Sequence, residues 1–128
     1  LGVRRKEMSS EKLVKVEMLE SDDPTFEAGA SKTARALLTN PTAAPFTYDV
    51  ELYLGVSKVV TSGVGSIAIP AGQSQNVDFT ITMPLVEGVY PVYLDITVGG
   101  TLIAHYKATE DVTIEVTPAI TVGPITWV

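Results

Sequence analysis

A chain of 128 residues and 13.6 kDa has the length of one domain, enough to bury roughly two-thirds of the surface its unfolded form exposes. Apolar residues make up 45%, charged residues 19%, and mean hydropathy is +0.25, so a packed core is expected rather than a solvating acidic tail, despite a net charge of −6. Zero cysteines and a single histidine, His105, exclude disulfide frameworks, thiolate nucleophiles, cysteine zinc sites and any scheme that needs two imidazoles.

Residues 1–12 read as a basic linker or arm with at most one frayed turn, because Arg4, Arg5, Lys6 and Lys12 come with too few apolar positions for an amphipathic helix. Beyond residue 15 only Lys32, Arg35, Lys58 and Lys107 are basic, against thirteen acidic residues. An acidic body with scattered cations repels a phosphate backbone, which excludes nucleic acid as a partner. The sequence holds no run of roughly 18 apolar residues to span a membrane.

Period-2 alternation then dominates. Val14, Val16 and Met18 alternate with Lys15 and Glu17 as a first strand, and Asp22-Asp23-Pro24 makes a turn. Lys32 to Asn40 puts Ala34, Ala36 and Leu38 inward, the alanines implying a bulky neighbour. After Asn40-Pro41-Thr42, the clearest strand sets Phe46, Tyr48, Val50, Leu52 and Leu54 against Thr47, Asp49, Glu51 and Tyr53. Between Gly55 and Pro70, Val59-Val60 and Ile67-Ala68-Ile69 give two short edge strands around a glycine-rich connection.

Two further long strands follow the Pro70-Ala71-Gly72 turn: Val77, Phe79, Ile81 and Met83 face inward on one, and Tyr90, Val92, Leu94, Ile96 and Val98 on the other. Gly99-Gly100 has the two-residue form of a tight hairpin, so the chain on either side pairs directly. Val112, Ile114 and Val116 form the last strand of the body. Thr117-Pro118-Ala119 interrupts the pattern, and residues 117–128 read as a linker followed by an extra strand. Seven to eight short strands over residues 13–116, with turns at regular spacing, predict an all-β, immunoglobulin-like antiparallel β-sandwich.

Several phrases resemble the immunoglobulin-like modules of bacterial and archaeal surface proteins known as CARDB, the cell-adhesion-related domain found in bacteria. They are Leu13-Val14-Lys15-Val16, Glu27-Ala28-Gly29 ahead of a strand ending in Leu38-Thr39-Asn40-Pro41, Tyr48 to Leu54, Ile69-Pro70-Ala71-Gly72-Gln73, and Glu87-Gly88-Val89-Tyr90. Such modules are non-catalytic spacers and adhesion units, and the resemblance implies that role here. Where the family often carries an acidic, asparagine-rich stretch before the last strand, this chain has Ala108-Thr109-Glu110-Asp111, and no ion site is carried over. Tyr90, two residues after Gly88, also resembles the tyrosine corner of Greek-key sandwiches, whose phenol bonds a nearby backbone group.

The candidate sites are few. Asp22, Asp23 and Glu27, with Glu20, cluster oxygen donors of the kind calcium takes, without the regular spacing of a calcium loop. Asp49 and Glu51 share one strand face, but a paired-carboxylate hydrolase needs them across a cleft. His105 lacks a second histidine, and Gly63-Val64-Gly65 lacks the lysine and helix of a phosphate loop. Tyr53 and Tyr93 fall on outer faces, where a sugar would stack. Trp127 and Ile125 lie in an apolar run with no evident partner, suited to docking on the body, on a following domain or on the edge of another subunit.

No catalytic or cofactor residue emerges. The reading is a structural and adhesion module, extracellular or surface-exposed, that contacts neighbouring domains, subunits or further copies of itself through sheet edges and terminal strands. A carbohydrate-binding module of a secreted enzyme and a virion structural or decoration protein are the alternatives.

Overall fold

The computed structural model describes residues 23–128, so the expected strand at Val14–Met18, the basic arm and Asp22 lie outside the described residues. Among the described residues ten strands form: β1 Thr25–Glu27, β2 Ser31–Thr39, β3 Phe46–Leu54, β4 Val60–Thr61, β5 Gly65–Ile69, β6 Ser74–Thr82, β7 Gly88–Tyr90, β8 Val92–Val98, β9 Thr101–Lys107 and β10 Val112–Glu115. Among the described residues there is no helix, and therefore none long and apolar enough to cross a membrane.

Three pairs of these segments are interrupted single strands. β4 and β5 both run antiparallel to β3, and the hairpin that pairs β8 with β9 continues as β7 with β10. Pro91 divides β7 from β8, because proline has no N–H for the ladder, while its carbonyl still accepts from Gly55 N at 2.8 Å. Ten segments thus trace seven strand paths, in accord with the expected sandwich. The exception to its antiparallel character is β1, which pairs parallel with β10.

β2 and β6 form one layer and β4/β5-β3-β8-β9 the other, with β1-β10-β7 extending the second at one end. Alternation fills the space between them. Tyr48, Val50, Leu52 and Leu54 of β3 meet Phe79 and Ile81 of β6, with Ile69, Met83, Ile96, Val112 and Ile114 completing the buried cluster. Ala34 and Ala36 of β2 stand beside Phe79 and Val77 in the ladder, which is the bulky company their small side chains imply. Ala36 and Leu38 are half-buried as expected, whereas Ala34 and Phe46, at the margins of the layers, are exposed rather than core.

Register defines two ends. Turns at residues 40–45, 70–73 and 99–100 form the upper end; residues 28–30, 55–59, 84–87 and 116–117 form the lower. At the upper end Asn40 is fully buried, and its side chain ties the 40–45 turn to β5. At the lower end Tyr90 Oη donates to Val86 O at 2.6 Å, making the tyrosine corner. The extra strand expected within residues 117–128 does not form in this chain. Thr117 is fastened to Glu27, Pro118 ends the line of β10, and the remainder runs exposed without a strand partner among the described residues.

Candidate functional site

The polar outer face of β3, β8 and β9 gathers most of the chemistry-bearing residues. Register sets Tyr53 opposite Tyr93, Glu51 opposite Asp95, and Asp95 opposite His105. The three rings stand as a stack across the sheet, with centroids 5.5 Å apart for Tyr53–Tyr93 and 5.2 Å apart for Tyr93–His105. Lys58 closes the other side of Tyr53, its Nζ 4.9 Å from the ring centroid. Lys58 adopts a left-handed backbone, φ 57°, in the turn between β3 and β4, an uncommon conformation for a residue with a side chain.

Each carboxylate on this face has donors. Glu51 accepts from Lys58 Nζ at 2.8 Å and from Thr61 Oγ1 at 2.6 Å, and these bonds hold it below the usual carboxylate range. Asp49 accepts from Ser66 Oγ. Asp95 accepts from Tyr53 Oη at 3.1 Å and contacts His105 Nδ1. Loss of water around the Tyr53 phenol, 5% exposed as a residue, raises its pKa, and the bond to Asp95 adds to that.

This geometry bears directly on the sugar-stacking expectation. Tyr53 and Tyr93 do lie on the outer face, but Tyr53 is buried between Lys58 and Tyr93, and Tyr93 is covered by Tyr53 and His105. Their faces meet each other rather than solvent, so they form no flat platform. Asp49 and Glu51 share the face as the sequence implies, on an open sheet instead of across a cleft.

The other candidates are dispersed. Of the calcium candidates, Asp22 lies outside the described residues. Glu27 uses both oxygens on Thr117, accepting from its N and Oγ1 at 2.7 Å each, with the backbone bond chiefly responsible for lowering its pKa. Among the described residues no three His, Asp or Glu side chains stand together to hold a metal ion. Gly63-Val64-Gly65 lines a shallow recess of about 250 Å³ beside β6. Trp127 and Ile125 are 95% and 82% exposed.

Two apolar features were not legible in the strand pattern. A cleft of about 630 Å³ separates β2 from β9 toward the upper end, lined by Leu37, Leu38, Tyr48, Ile96, Ile103 and Tyr106 among others. At the lower end Val56, Leu85 and Val86 project into solvent beside a second, apolar recess of about 420 Å³. Their signals were Leu37 on a polar face and the consecutive Pro84-Leu85-Val86, which breaks alternation inside a turn.

No protein-family model matches this chain, and no curated protein matches it. Among solved structures, it is similar to the ASH / PapD-like domain of human CEP192 (PapD-like domain 7), at 14% sequence identity and a TM-score of 0.41, over 90% of this chain and 100% of that one. That likeness is too distant to transfer a function.

Proposed function

We propose that this chain is a non-catalytic, CARDB-like immunoglobulin module that serves as a spacer and protein-contact unit in an extracellular or surface-exposed assembly. One contrast carries the reading. The polar face is hydrogen-bonded within itself, since Asp49, Glu51 and Asp95 each meet a neighbouring donor on an open sheet. The apolar surface is instead left uncovered at the β2/β9 cleft, the lower end and the tail. Uncovered apolar surface of this kind marks contact with other macromolecules. Ring faces already stacked on one another give a carbohydrate no comparable foothold.

The test is an activity panel of chromogenic glycosides, esters, peptides and phosphate esters, run beside a glycan array. No turnover and no glycan binding are expected. Turnover abolished by Glu51→Gln or Asp95→Asn would overturn the reading. Antibody labelling of intact source cells or particles checks location, and labelling that needs permeabilisation would count against a surface role.

A further inference from the structure

We propose that residues 119–128 of one copy of this chain add as a strand to the cleft between β2 and β9 of a second copy, joining modules end to end. The inference rests on the contact-module reading and names the partner.

The donor is unusual in chemistry and position. Ile120, Val122, Ile125 and Trp127 are 87%, 70%, 82% and 95% exposed, and residues 116–128 include no charged side chain. Ile120 and Val122 alternate with Thr121, Ile125 and Trp127 with Thr126, and Gly123-Pro124 shifts the register between the two pairs. Each half therefore has one apolar face. An extended segment of this pattern gains backbone hydrogen bonds and side-chain burial by joining a sheet edge.

The acceptor supplies what the donor lacks. Among the described residues β2 pairs only with β6 and β9 only with β8, so two edges border the same apolar cleft. Its rim residues Leu37, Ile103 and Tyr106 are 63%, 54% and 58% exposed. An uncharged strand also avoids the repulsion an acidic one would meet on a body this acidic.

Placement selects a second copy. The tail leaves from the lower end, where Thr117 is held by Glu27, while the cleft opens toward the upper end beside Pro41 and Thr42. Donor and acceptor at opposite ends make a heterologous contact, which propagates head to tail instead of closing as a symmetric pair. Val56, Leu85 and Val86 at the lower end would then face the upper end of the next module.

The experiment uses the full 128-residue chain, which has no native cysteine. Ile103→Cys and Thr126→Cys are prepared as separate variants, mixed, and treated with a short bis-maleimide. A cross-linked pair containing one of each is expected. Light scattering of the wild type should show mass rising with concentration past that of a dimer, while Trp127 emission, the sole tryptophan signal, shifts to the blue. Trp127→Ala should weaken association by about tenfold or more.

Failure of mixed variants to cross-link, together with a constant monomer mass, would overturn the proposal. So would cross-linking confined to a chain carrying both Ile103→Cys and Thr126→Cys, which places the tail on its own body, or a Val16→Cys/Ile103→Cys chain that links internally while the tail stays free. In each case an absence of turnover leaves the contact-module reading intact, whereas Glu51-dependent turnover removes the reading itself.

Discussion

Replacing Asn40 perturbs the best-satisfied polar side chain in the described residues. Its Nδ2 donates to Ala44 O at 2.8 Å and to Ile69 O at 2.9 Å, and its Oδ1 accepts from Thr42 N at 3.0 Å and Thr42 Oγ1 at 2.7 Å. The amide thus uses both donors and both lone-pair directions, at 0% exposure. Asn40→Ala removes the bonds to Ile69 O and Ala44 O and the two from Thr42, buried or part-buried and worth about 0.5–1.5 kcal/mol each. A total of about 3 kcal/mol corresponds to a fall of roughly 12 °C in Tm for a domain of this length.

Asn40→Asp separates hydrogen bonding from mere volume. A carboxylate keeps the bonds from Thr42 but turns an acceptor toward two carbonyl oxygens, so its folded-state pKa rises. Stability is then greatest below the unfolded aspartate pKa and falls as pH rises through the folded value. Urea denaturation followed by circular dichroism at several pH values provides the measurement. Losses under about 0.5 kcal/mol for alanine, or a pH-independent aspartate variant, would refute the reasoning.

Two further outcomes test local terms. Gly55 has φ +81°, and an added Cβ would lie 2.8 Å from Val59 Cγ2, while Gly63 has φ +77° with nothing within 4 Å. Gly63→Ala should therefore cost only the left-handed backbone term of about 1–2 kcal/mol, and Gly55→Ala measurably more by thermal unfolding. The lowered pKa of Glu27 means that its bonds to Thr117 contribute above the ordinary glutamate pKa and are lost as pH falls through the depressed folded value. Protection of the Thr117 amide, its exchange rate compared with that of an unstructured peptide at the same pH, should fall at acid pH in the wild type, and Glu27→Gln should flatten that dependence.

Long strands were readable because their inner residues alternate against polar ones: β3, β6 and β8 appear where Val50, Phe79 and Ile96 place them. β1 was not, since Thr25-Phe26-Glu27 is too short to display a period and its partner lies nearly ninety residues away. Alternation assigns a side chain to a face without saying what covers that face. Tyr53 is consequently outward yet buried, because Lys58 folds over it from the next turn and Tyr93 flanks it from β8. Asn40 was legible as a turn residue, but its burial depends on Ile69 O, brought in by a separate strand. Local pattern carried the layers, and long-range register carried the site.

The same register makes the outer face a testable network. Glu51 and Asp95 oppose one another directly, an arrangement that like charges destabilise unless cations or donors intervene. Lys58 and Thr61 serve Glu51; Tyr53 and His105 serve Asp95. Tyr53→Phe removes one donor while keeping the stacked ring, and Asp95→Asn removes the charge while keeping an acceptor. A double-mutant cycle should return a coupling of about 1 kcal/mol, the size of a hydrogen bond to a charged, partly buried group. Because the Tyr53 pKa is raised, its contribution is complete below the ordinary phenol range and declines as pH rises through the folded value. Ultraviolet titration should accordingly find one phenol ionising late in the wild type and earlier in Asp95→Asn. Additive mutations and an unchanged titration would mean that ring stacking alone holds this face, with Asp95 left as a solvated charge.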